Sequence, residues 1–136
     1  MTPVALLLCT LMTAGALGAC GGGRPRSEAE RDDGGIVGAL CEARDRAVRD
    51  AAEAEAIFLD RAHDGLHDLA REVAEVDRSA AARLLEAKQS VEADIERPSS
   101  GASLEVHLEE LIASARRALE LSTGSAPSCA QGGDDG

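Results

Sequence analysis

Between residues 36 and 121 the chain is dominated by Ala, Leu, Glu and Arg, and Pro98 is the only proline there. These four residue types lose little conformational freedom in a helix, and a single proline leaves few places where one must stop. No run alternates apolar and polar positions with β-branched side chains. The spacing therefore predicts an all-α domain, an up-down bundle of helices.

The first helix is expected over about 36–49, with Asp32 or Asp33 near its start and Ile36, Val37, Leu40, Ala47 and Val48 as its apolar stripe. Unbroken to Val76 it would be about 60 Å long, too long for a compact domain of this mass. Asp50-Ala51-Ala52-Glu53 has capping-box spacing, with Asp in place of Ser or Thr, so a second helix begins at Ala51. It covers 51–76 with the stripe Ile57, Phe58, Ala62, Leu66, Leu69, Val73 and Val76. Gly65 inside this run predicts a kink, with Asp64 capping the downstream piece. A third helix follows Asp77 or Ser79 over 79–96, with Ala81, Leu84, Leu85, the Lys88 stem, Val91 and Ile95 inward. A fourth covers 103–121 with Ser103 as N-cap, Leu104, Leu108, Leu111, Ile112, Ala115 and Leu119 inward, and Gly124 just past its end. Alanine fills much of this core, which predicts close helix packing and modest stability.

Composition removes several functions. The 136 residues carry a net charge of −11, contain no Trp or Tyr, and have Phe58 as their single aromatic. A base-stacking platform needs aromatics and a phosphate-tracking groove needs positive charge, so no nucleic-acid partner is expected. An aromatic cage for quaternary ammonium ligands is likewise excluded.

Met1 to Ala19 carry no charged side chain. The apolar run Val4 to Met12 is too short to span about 30 Å of hydrocarbon and fits the middle of a secretory signal. Leu17-Gly18-Ala19-Cys20 follows. This run resembles the lipobox of bacterial lipoproteins: a Leu, two small residues and an obligatory Cys. The resemblance implies cleavage before Cys20 and acylation of its thiol, with palmitate-type chains holding the protein on a membrane. It also places the protein in the bacterial envelope, facing away from the cytoplasm. That means the outer leaflet of the plasma membrane, or the outer membrane where there are two, as Gly21 after the Cys suits. Residues 1–19 are then signal, 20–35 the lipidated Cys and a flexible linker, 36–129 the helical domain and 130–136 a disordered tail. The linker, rich in Gly and charge, has a reach of about 20 Å.

Four cysteines occur. On the resemblance to a lipoprotein signal, Cys9 leaves with the signal and Cys20 takes lipid, which leaves Cys41 and Cys129 as one expected pair in a compartment that permits disulfides. Closing so long a loop is worth about 4 kcal/mol on the chain-entropy model. The two thiols lack the close spacing of a zinc site or a Cys-x-x-Cys redox pair.

Among polar residues the histidines stand out. His63 and His67 are four apart and share a helix face, with Asp60 nearby, which is metal-chelating spacing suited to Cu²⁺ or Zn²⁺. They lie roughly 80 to 120° from the centre of the apolar stripe and so flank the core. His107 flanks the stripe of the fourth helix and is a candidate third ligand. Boundary histidines that bond nearby groups are the commoner use of such spacing, and they are the favoured reading here. His63-Asp64-Gly65-Leu66-His67 superficially resembles the zincin signature His-Glu-x-x-His. Asp replaces the general-base Glu, and Gly65 weakens the helix, so no protease is expected. No Gly-x-Ser-x-Gly elbow or phosphate loop is present. Adjacent Glu109 and Glu110 point in different directions, and Glu92 with Glu96 reads as solvated surface.

These observations predict a lipid-anchored, non-catalytic helical interaction domain with an unknown protein partner. The alternatives are a metal-binding lipoprotein using His63, His67, Asp60 and His107, and a purely structural envelope component.

Overall fold

The computed structural model describes residues 33–97 and 100–129. The expected signal over 1–19, Cys20 with its lipobox-like run, most of the expected linker, residues 98–99 and the expected tail from 130 lie outside the described residues.

Five helical segments follow in order: α1 (Asp33–Ala47), α2 (Ala51–Ile57), α3 (His63–Ala74), α4 (Arg78–Glu96) and α5 (Gly101–Thr123). A π-helical turn, Phe58–Ala62, joins α2 to α3. Backbone angles stay right-handed helical through Ile57, Phe58, Ala62 and His63, so residues 51–74 form one continuous rod. Four rods result. α1 packs on α2, the π turn and α5, α4 packs on α3 and α5, and α3 also reaches α5. Short connections make successive rods antiparallel, as an up-down bundle requires.

Sequence-local chemistry sets the starts of three rods. Asp50 Oδ1 accepts the Glu53 amide at 3.0 Å. Asp77 Oδ1 accepts the Ser79 and Ala80 amides at 2.9 and 3.0 Å and the Ser79 hydroxyl at 2.7 Å. These bonds satisfy amides that have no partner inside the helix. α5 begins earlier than the sequence suggests. Its cap is Ser100, whose hydroxyl accepts the Ser103 amide at 3.3 Å. The Ser103 hydroxyl instead donates to Asp94, 3.1 Å from Oδ2. Gly124 closes α5 at φ 77°, a left-handed conformation that glycine adopts without a Cβ clash. α1 likewise starts early, taking Asp33, Gly34 and Gly35 from the expected linker. Val48 and Val76, expected inside, are 60% and 65% exposed, because α1 ends at Ala47 and α3 at Ala74.

The expected irregularity of the second rod falls at Phe58–Ala62 and not at Gly65. The pattern of buried residues explains why. Ala54, Phe58, Ala62 and Leu66 are all buried and all four apart. On an ideal α-helix three such steps drift by roughly 120° around the axis. One wider turn, closed by the His63 amide on the Phe58 carbonyl, absorbs an extra residue and keeps all four inward. Gly65 sits in regular helix, and a Cβ there would press on the Ile36 side chain. Its missing Cβ leaves room for that side chain, which reaches over from α1. Asp64 caps nothing.

Phe58 lies at the centre of the core with Leu40, Leu66, Leu84, Leu108, Leu111 and Leu119. Buried alanines on every rod let the axes come close, and Gly101 does the same where α5 meets the end of α1: a Cβ would strike the Ala47 carbonyl. Cys41 and Cys129 are bridged, with Cα atoms 5.6 Å apart. Cys41 is eight residues into α1, so the segment after Gly124 runs back along that helix to reach it.

Candidate functional site

Lys88 is the buried charged residue of the described chain, 3% exposed, and it is the sole lysine of the protein. It occupies α4 at a core position between Leu84 and Val91, one helical turn from each. Its stem packs with the apolar stripe while its ammonium meets two polar partners at the α3–α4 seam. Nζ donates to Glu92 Oε1 at 2.5 Å and lies 3.0 Å from His63 Nε2. His63 Nε2 is also 2.9 Å from Glu92 Oε1, and Nδ1 is 3.2 Å from Asp64 Oδ1. Three groups from two helices thus form a closed triangle.

The triangle has two hydrogen-bonding arrangements. With its proton on Nδ1, the neutral ring donates to Asp64 and accepts from Lys88 through Nε2. With its proton on Nε2, it donates to Glu92 instead. The proton on the ring therefore decides which of Lys88 and Glu92 is bonded to Nε2. Burial pushes the Glu92 carboxyl up, but the hydrogen bonds from Lys88 and His63 and the charge of the ammonium outweigh it. The net effect holds Glu92 below its ordinary value of 4.5. The π turn presents the imidazole to this seam: His63 begins α3, and its ring meets Phe58 edge-on at 5.9 Å between centroids.

His67 does lie beside His63, with ring centroids 5.2 Å apart. Nε2 of His63 lies within hydrogen-bond distance of Lys88 and Glu92. Asp60 is exposed on the π turn. His107 is bound elsewhere, its Nδ1 2.6 Å from Asp94 Oδ2. Among the described residues no three His, Cys, Asp or Glu side chains converge as a metal shell. A cleft of about 220 Å³ opens between Ala51, Ala52, Glu55, Asp94, Ile95, Gly101 and Leu104, and none of the Lys88 triangle lines it.

Helical spacing alone puts the Lys88 stem inward but leaves Glu92 on the surface and joins neither to His63. A signal was present. The only lysine among 14 basic residues sits in an apolar stripe, with Glu at i+4 to receive it. No described helix is long and apolar enough to cross a membrane. Compared with protein families, curated proteins and solved structures, the chain matches none.

Proposed function

We propose that this protein is a lipid-anchored, non-catalytic helical interaction domain on the outer side of a bacterial membrane. The observation that carries the reading is Leu17-Gly18-Ala19-Cys20, followed by a polar glycine-rich linker. A disulfide-pinned bundle suits an oxidising compartment and supports the same reading. Two acyl chains on Cys20 would hold the protein stably, where one would bind only marginally. The net charge of −11 repels anionic lipid and favours a partner with a basic surface. The helical exterior is the recognition element, and the triangle around Lys88 holds two of its helices in register.

The test is to express the full chain in bacteria supplied with an alkyne-bearing fatty acid, beside the Cys20→Ser variant. Label on the parent chain, recovery with membranes and a processed N-terminal peptide beginning at acylated Cys20 are expected. All three disappear in Cys20→Ser. An unlabelled parent chain, or a variant that still fractionates with membranes, overturns the anchor.

A further inference from the structure

The two sulfurs of the Cys41–Cys129 bridge differ in access and in charge. Cys41 is 5% exposed, in the middle of α1 and next to Leu40. Cys129 is only half-buried and lies on residues 125–129, which have no regular structure. Arg44, one turn beyond Cys41 on α1, points Nη1 at the Cys129 sulfur at 3.6 Å. Its Nε and Nη2 are held by Asp45 Oδ1 at 2.9 and 2.7 Å, which turns the remaining Nη1 towards the tail. A cation beside a partly accessible sulfur favours the thiolate, the reactive form, whereas a thiol among apolar side chains is slow to ionise.

From this asymmetry we propose that Cys129 is the exchange sulfur of the bridge, forming a mixed disulfide with a disulfide-bearing oxidant, and that Cys41 is the resolving thiol. In the forming direction the Cys129 thiol gives its proton to solvent beside Arg44. The thiolate attacks one sulfur of the oxidant, the oxidant's S–S bond breaks, and one thiolate leaves. Cys41 then loses its proton and attacks Cys129 Sγ. The internal S–S bond forms and the second oxidant thiolate departs. Two protein thiols are oxidised while one disulfide is reduced to two thiols. In the reverse direction a reductant thiolate enters at Cys129, and Cys41 leaves. The proposal rests on the bridge and is independent of the lipid anchor.

The test uses the full chain carrying Cys9→Ser and Cys20→Ser, so that only the two bridge thiols remain, with oxidised glutathione as probe. In the further single variants, Cys129 (Cys41→Ser) should acquire glutathione at least about tenfold faster than Cys41 (Cys129→Ser). Arg44→Gln should slow the Cys129 reaction about threefold, and Arg44→Lys should restore it. Because loss of the tail cysteine could loosen the bundle and expose Cys41, the dithiol chain is also acid-quenched during oxidation, and its intermediate is mapped by peptide mass. Glutathione on the Cys129 peptide supports the assignment. Glutathione on the Cys41 peptide, equal single-thiol rates in helical chains, or indifference to Arg44→Gln overturns it.

Discussion

At the residue scale the protein concentrates its polar chemistry where α3 meets α4. Lys88 contributes in two separable ways, a packed stem and a paired ammonium. Lys88→Ala removes both and leaves Glu92 and His63 without their donor. It should cost about 3 kcal/mol in urea unfolding. Lys88→Met keeps the stem's volume and should cost less than half of that; a Met variant as stable as the parent would mean that the ammonium contributes nothing. The carboxylate has its own signature. Glu92 is held below its ordinary value in the folded chain, so its ionised form stabilises the fold. That contribution is fully present above about pH 4.5 and fades as acid protonates the folded carboxylate. The stability difference between the parent and Glu92→Gln should therefore be largest at neutral pH and close as the pH falls below about 4.5. A gap independent of pH would rule out the ionised pair as its source. Asp77 adds to acid sensitivity with the same sign, since the Ser79 hydroxyl and the Ala80 amide both bind its carboxylate form.

At the element scale the π turn is the informative feature. Its extra residue exists to keep Ala54, Phe58, Ala62 and Leu66 on one face. Deleting exposed Asp60 should turn it into ordinary α-helix with 4-3-type spacing restored and the downstream face retained. The deletion should cost less than about 2 kcal/mol, within the range of common single changes. Deleting exposed Asp68 from regular α3 instead rotates every later residue by roughly 100° and should abolish cooperative unfolding. Equal damage from both deletions, read by circular dichroism during thermal melting, would refute this account of the turn. The helix faces were legible in advance because burial follows periodicity: Leu104, Leu108, Leu111, Ile112, Ala115 and Leu119 are all buried as their spacing predicts. Ends were less legible. Ser100 and Ser103 are equally good caps by composition, and the choice came from Asp94, on another helix, claiming the Ser103 hydroxyl.

At the scale of the whole molecule, a small alanine-rich core is closed by one long covalent loop. Reducing the bridge, whose cysteines are 88 residues apart, removes a constraint worth about 4 kcal/mol on the unfolded chain. Melting temperature should fall markedly in reductant, and the bridgeless Cys41→Ser/Cys129→Ser variant should show no further fall. A parent chain insensitive to reductant would show that the bundle alone supplies the stability.

Helix content, most inward faces and the single plausible cysteine pair followed from the sequence itself. Each depends on local propensity, periodicity or counting, which neighbours in the chain suffice to specify. The location of the π turn, the cap of α5 and the partners of His63 did not follow. They depend on contacts between helices distant in sequence: Lys88 reaches His63 across 25 residues, and Asp94 reaches His107 across 13. Side-chain chemistry named the candidate groups, but only the packing of one rod against another decided that the histidine nitrogen would meet an internal ammonium.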